Sequence, residues 1–307
     1  MKKIVKGKSL KEVEASTKYM GCTFYLDCVD GEDFTGTEFD NCSFRGWFRD
    51  WGRDEYGLWI AFTYKNVRQV MRWIRPGTFM MGSPATEDRY ENEVLHQVTL
   101  SKGFWLAETE CTQELWEAVM ENNPSEFEGE KKPVEKVSWD DCSAFIEKLN
   151  KEVLELELCL PTEAQWEYAC RAGTTTAFNF GESITMNQVN YDGRATVEVK
   201  SFGCNNWGLY EMHGNVWEWC SDWYDEYDIS ITTDPMGTIS GSYRIVRGGS
   251  WRNFSSRHVR SAFRSRYELD HRSDYIGFRF CLRSQNKAAD CEREMYRRRR
   301  SRREDIS

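Results

Sequence analysis

Between residues 173 and 247 the chain carries no sustained hydrophobic period; Gly, Asn, Asp and Trp follow one another in short irregular steps. So long a stretch without helix or strand signals is uncommon inside a compact domain, and it is functional or held by something specific such as a metal ion. A chain built this way cannot rest on regular layers of aliphatic residues. Its core must come from large rings, and 13 Trp, 14 Tyr and 17 Phe at a mean hydropathy of -0.70 supply them. At 307 residues there is room for one large domain and a small appendage.

Around the irregular stretch the local signals are clear. Thr162 and Gln165 form a capping box at the start of a helix whose apolar face is Ala164, Trp166, Ala169 and Cys170, and Gly173 supplies a left-handed stop. Ser138 and Asp141 open a second helix with Phe145, Ile146 and Leu149 facing inward, and Thr112 caps a third through Leu115, Trp116, Val119 and Met120. Short strands are expected at residues 243–247 and 276–282.

Ahead of these lies a different texture. Phe24, Val29, Phe34, Phe39 and Phe44 recur every five residues, a spacing that suits a four-sided β-coil of pentapeptide repeats or arises by accident in a β-hairpin. Residues 46–64, rich in Gly and Trp, read as a hinge. The domain reading is therefore a β-rich segment at 1–68, a main domain at 69–284 and a basic tail at 285–307, where YRRRRSRR reads as a solvated arm or a contact for RNA or another anion.

A net charge of -9 disfavours duplex binding by the whole protein. Eleven cysteines with no CxxC pair argue against a zinc module or a dense disulfide framework, and no apolar run approaches a membrane span. The expected setting is reduced and cytoplasmic.

Several separated motifs, GTFMMGSP, HQVTLSKGFWLAETECTQELWEAVM, PVEKVSWDDC, LPTEAQWEYACRAGT, WGLYEMHGNVWEWCSDWY, RGGSW and IGFRF, occur in order across residues 70–284. Together they resemble the formylglycine-generating enzyme, or sulfatase-modifying factor, family. That resemblance implies an α+β, C-type lectin-like fold with much irregular structure. In the family's oxidase members two cysteine thiolates, five residues apart and shortly after GGS, hold copper. Here those places fall on Asn253 and His258, and no cysteine occurs between Cys220 and Cys281. The resemblance thus brings no copper and leans away from an enzyme. It also implies structural calcium: Asn215 in GNVWEW offers an oxygen ligand, whereas Lys200 stands where a second site needs an acid.

Within residues 248–280, which hold seven arginines, Trp251, Asn253, Phe254, Ser255, His258, Phe263, Ser265, Tyr267, His271, Ser273, Asp274 and Tyr275 mix rings, hydroxyls and small amides. Such chemistry suits a binding pocket for a protein or small ligand. The frame RGGSW, RSAFR, IGFRF resembles that of the variable proteins of diversity-generating retroelements, in which such positions are diversified. The interleaved Arg257, Arg260, Arg264, Arg266, Arg272 and Arg279 have two readings, as forks on buried carboxylates and carbonyls or as surface contacts.

Overall fold

The computed structural model describes residues 50–153 and 156–282 and, ahead of them, short segments between residues 3 and 45. Those segments are the strands β1 (Lys3–Lys6), β2 (Ser9–Leu10), β3 (Thr17–Met20), β4 (Thr23–Tyr25), β5 (Glu38–Asp40) and β6 (Ser43–Arg45). They form two parallel sheets, β1-β3-β5 and β2-β4-β6. Lys18 pairs with Glu38 and Thr23 with Ser43, a step of 20 positions that four five-residue units make, whereas Lys3 pairs with Thr17 and Ser9 with Thr23, a step of 14 that they do not. Phe24 pairs with Phe44 in the first of these registers; Val29 and Phe34 lie outside the described residues, as does the basic tail.

The stretch expected to be a hinge is instead sheet from Asp50 onward. β7 (Asp50–Asp54), β8 (Gly57–Tyr64) and β9 (Val67–Ile74) form an antiparallel meander. After β10 (Gly77–Met81) and β11 (His96–Leu100), which pair with each other, β12 (Phe104–Ala107) joins β9. With β13 (Leu158–Cys159) and β18 (Cys281–Leu282) this sheet has the order β13-β18-β12-β9-β8-β7. Trp51, opposite Ile60, and Trp59, opposite Gly52, fall on opposite faces of this meander, so its rings do not mark a single buried side.

The helices α1 (Gln113–Met120) and α2 (Trp139–Glu152) pack beside this sheet. Their core is made of rings, as the composition requires. Trp116 stacks on Phe145 with centroids 5.2 Å apart, and Phe145 meets the buried Phe278 at 5.5 Å. Thr112 caps α1, and Ser138 and Asp141 close a capping box on α2. In α3 (Glu163–Arg171) the Thr162–Gln165 box forms, and Ala164, Trp166, Ala169 and Cys170 are all at most 1% exposed. The left-handed stop begins one residue earlier than expected, at Ala172 with φ 45°.

The second large sheet holds β14 (Trp217–Trp223), β15 (Arg244–Arg247), β16 (Arg264–Tyr267) and β17 (Ile276–Gly277), in the order β16-β15-β14-β17. β14 lies inside the stretch that shows no period. Nearly every residue of it is buried on both faces, so the alternation that marks a half-exposed strand is missing. The strand expected at residues 276–282 is two strands. Ile276 pairs with Trp217 in one sheet, Cys281 with Leu106 and Cys159 in the other, and the chain crosses between them with Phe278 and Phe280 fully buried. Among the described residues no helix is long and apolar enough to cross a membrane.

The row Glu218–Arg247–Arg264 runs across β14, β15 and β16 on the face toward α3. Arg247 pairs with Glu167 of α3, and Arg264 takes both oxygens of Glu163 at 2.8 and 2.7 Å. Beside Glu163, burial pushes the Asp222 carboxyl from 3.8 up to about 7. The folded protein therefore keeps a proton that the unfolded chain has released, and this group's share of stability declines as pH rises from about 4 to 7. In urea titrations between pH 5 and 7, Asp222→Asn should show a shallower decline of the midpoint than the native chain; identical slopes would refute the assignment.

Candidate functional site

Residues 248–275 begin with a turn that only glycine suits. Gly248 and Gly249 have φ of +93° and +77°, and a Cβ on Gly249 would lie 2.4 Å from Val259 Cγ1. The turn sends the chain along the edge of the second sheet, through a 3-10 turn at Ser256–Val259, and back as the edge strand β16. Strand alternation then divides the residues. Arg264 points inward toward α3, while Phe263, Ser265 and Tyr267 take the opposite face.

Three groups of side chains line that face. Phe254, His258 and Phe263 form the first, with His258 5.7 Å from Phe254 and 5.1 Å from Phe263. Tyr90 joins them, its ring 5.1 Å from Phe263 and its hydroxyl 3.2 Å from His258 Nε2, and Trp217 backs Phe263 at 5.7 Å. Burial, followed by the neighbouring Arg257 and Arg260, lowers the pKa of His258, so this ring is neutral near pH 7. The second group is Tyr267, stacked on His271 at 4.5 Å and 6.3 Å from Tyr275.

Trp251 anchors the third group. Its indole N–H donates to the Asp274 carbonyl at 3.0 Å and its ring meets Phe127 edge-on at 5.3 Å. Ser273 donates to Asp274 Oδ1 at 3.4 Å. Arg252 joins this group to the second: its guanidinium lies 3.5 Å from Asp274 Oδ1 and 5.5 Å from the Tyr275 ring. Ser265, on β16, stands in the chain between Phe263 of the first group and Tyr267 of the second. The result is one belt of rings, amides and hydroxyls from which Phe254 projects with 78% of its surface exposed.

Two of the expected contact residues serve the backbone instead. Asn253 Oδ1 accepts from the Ser250 N–H at 2.8 Å and the Ser250 hydroxyl at 3.2 Å, and Ser255 caps the 3-10 turn through the Arg257 N–H. Conversely, Tyr90, Phe127, Trp217 and Arg252 belong to the belt and were not marked by the sequence: the first three come from distant segments, and Arg252 shows its role only where Asp274 and Tyr275 fold back beside it. Most of the arginines are forks on carboxylates. Arg260 holds Glu93 and Glu87, Arg264 holds Glu163, Arg279 holds Glu218 and the exposed Arg272 holds Asp141. Arg257 lies 3.9 Å over Tyr90, and Arg266 4.2 Å over Tyr224.

Neither metal implied by the resemblance fits these residues. At the copper positions, the Asn253 oxygen is occupied by Ser250 and the His258 Nε2 by Tyr90, with no thiol beside them in the sequence. At the calcium position, Asn215 Oδ1 accepts from the Val197 N–H at 3.0 Å and from Asn190 Nδ2 at 3.2 Å, while its own amide donates to Glu110. That oxygen faces two N–H donors. Lys200 places its ammonium on Glu108.

With this geometry in view, the family comparison is decisive: the model of the sulfatase-modifying factor enzyme 1-like domain matches residues 62–284. The chain belongs to that family. Among curated relatives it is 38% identical over 154 residues to the serine/threonine-protein kinase pkn1 of Chlamydia caviae, covering 48% of this chain and 24% of the kinase. It is 36% identical over 168 residues to the formylglycine-generating enzyme of Streptomyces coelicolor, covering 48% of this chain and 51% of the enzyme. The chain thus spans about half or less of the length of these relatives. Among solved structures, Treponema denticola variable protein 1 superposes with a TM-score of 0.65 at 30% identity, over 73% of this chain and 99% of that one. The fold is the family's α+β, C-type lectin-like fold.

The belt residues differ in how firmly they are held. Phe254→Ala should change stability by no more than about 0.5 kcal/mol, as a truncation at an exposed site does. Asn253→Ala should cost about 1–3 kcal/mol, since it strips the acceptor from two Ser250 donors. Urea unfolding of the two variants checks the ranking, and an equal cost would contradict the assigned roles.

Proposed function

We propose that this chain is a non-catalytic binding protein whose belt of rings and amides along residues 251–275 receives a protein or small-ligand partner. The observation that carries this reading is the fate of the two positions where the family's oxidases place thiolates. Here they hold a carboxamide bonded to Ser250 and a neutral imidazole bonded to Tyr90. What remains is a contact surface. Rings give large area at low rotamer cost, and Ser, Asn and Arg around them give adaptable hydrogen bonds.

The same belt, framed by RGGSW, RSAFR and IGFRF, suits the variable protein of a diversity-generating retroelement. Outward residues on β16 and its flanking turns would vary while Gly248, Gly249 and the buried arginines hold the frame. The partner is not assigned to nucleic acid, since the chain's net charge is -9. Eleven cysteines, an odd number with no CxxC pair, suit a reduced cytoplasmic setting.

A second reading, an oxidase acting on cysteine-containing peptides, draws on the names of several curated relatives. The two separate cleanly. Purified protein given copper, oxygen and a sulfatase-type cysteine peptide should yield no formylglycine by mass spectrometry, and its appearance would overturn the binding assignment. Under the retroelement reading, the source genome should carry a near-copy of the bases encoding residues 251–279, differing at adenines, beside a reverse-transcriptase gene.

A further inference from the structure

On the first large sheet, away from the belt, two cysteines stand opposite each other. β13 and β18 run antiparallel, and their register sets Cys159 across from Cys281. Opposite residues of such a pair project to the same face. Both side chains are thiols, and their Sγ atoms lie 3.2 Å apart although the residues are 122 positions apart in sequence.

The backbone around them is already set for a bond. Asn150 of α2 takes both main-chain groups of Leu158, its Nδ2 donating to the carbonyl and its Oδ1 accepting from the N–H, each at 2.9 Å. Leu158 therefore turns its polar groups away from β18, and the next residue, Cys159, turns its own toward it, which makes Cys159 and Cys281 a hydrogen-bonded pair of the ladder. The Cα atoms of such a pair are about 5.5 Å apart, inside the roughly 4.4–6.8 Å that a disulfide spans. Access differs between the two sulfurs. Cys159 is half-buried, whereas Cys281 is 1% exposed in the core that holds Ile74 and Leu106. A small solute thus meets Cys159 first, with Cys281 waiting behind it. Elsewhere burial pushes the thiols of Cys111, Cys142, Cys170 and Cys220 well up, which keeps them in the unreactive protonated form.

We propose that Cys159 and Cys281 are an oxidisable dithiol, which hydrogen peroxide converts to a disulfide that staples the link between α2 and α3 to β18. The Cys159 thiolate attacks one peroxide oxygen, the O–O bond breaks, and the departing hydroxide takes up the proton that the thiol gave, leaving a sulfenic acid and one water. The Cys281 sulfur then attacks the Cys159 sulfur. An S–S bond forms as the S–O bond breaks, and the hydroxyl leaves with the Cys281 proton as a second water. The two thiols lose two electrons, and peroxide gains them. A dithiol reductant reverses the change by exchange. The staple removes freedom from the unfolded chain, so the oxidised protein is the more stable form. The belt lies on the edge of the other large sheet, and the outcome does not depend on what the belt binds.

The test treats the full chain with stoichiometric hydrogen peroxide at neutral pH, maps its disulfides by mass spectrometry after non-reducing digestion, and follows thermal unfolding. A peptide joining Cys159 to Cys281 should appear and should vanish on reduction with dithiothreitol. The Tm of the oxidised native chain should exceed that of equally treated Cys159→Ser by roughly 5–10 °C, and reduction should abolish the difference. Cys204→Ser, which changes another half-buried thiol, should respond as the native chain does. A map without the joined peptide, an equal Tm for oxidised native chain and oxidised Cys159→Ser, or loss of the response in Cys204→Ser would each overturn the proposal. If Cys159→Ser does not fold, the peptide map of the native chain and its reversal by dithiothreitol decide alone.

Discussion

Buried guanidiniums hold this fold together. Arg247, Arg260, Arg264 and Arg279 are each at most 4% exposed, and each reaches a buried carboxylate: Glu167, Glu93, Glu163 and Glu218. Their remaining donors go to carbonyls of irregular chain, such as Ala262, Phe263 and Ser261 for Arg247, and Ala107, Glu108 and Tyr210 for Arg279. The reason is the unpaired backbone of loops. A carbonyl buried outside a helix or ladder must still find a donor, and a planar guanidinium brings five. Leaving one of these carboxylates alone in the core would cost about 3–5 kcal/mol, so the forks and the loops depend on each other.

These forks also explain how a contact surface is carried by an edge strand and its turns without loss of shape. Along β16 Arg264 is locked to α3 and Arg266 is exposed, while the half-buried Ser265 and Tyr267 take the opposite face, Tyr267 with its ring 6.4 Å from Trp219. Arg260 ties the 3-10 turn below Phe254 and His258 to Glu87 and Glu93, which lie far away in sequence. Rings on the belt therefore rest on a frame whose charges are satisfied elsewhere, and the exposed tips are free to meet a partner.

Hydrogen bonds of buried amides and ion pairs hold the irregular segment. Asn215, held at φ 57°, spends its carboxamide on Val197, Asn190 and Glu110, cross-linking the irregular segment to the start of β14. Lys200 and Arg72 converge on Glu108 and tie the same segment to the first large sheet. The expectation that something specific holds the unperiodic stretch is met by amides and ion pairs.

Some of this was legible in the sequence. Helix starts are local chemistry, so Thr112, Ser138 and Thr162 announced α1, α2 and α3, and the ordered motifs named the fold. The arginine forks were one of two readings there, because a guanidinium shows its role only when its carboxylate, often 100 or more positions away, is brought beside it; Arg264 and Glu163 are 101 apart. Strand β14 was hidden by burial on both faces, and the sheet change inside IGFRF by its brevity. The candidate site followed the same rule. Sequence alone marked residues 251–275 as rich in contact chemistry, whereas tertiary structure decided that Asn253 and Ser255 serve turns and that Tyr90, Phe127 and Trp217 complete the belt. Composition and caps act over a few residues and can be read in order; burial, charge pairing and the closing of a surface depend on which distant segments meet, and only the folded chain fixes that.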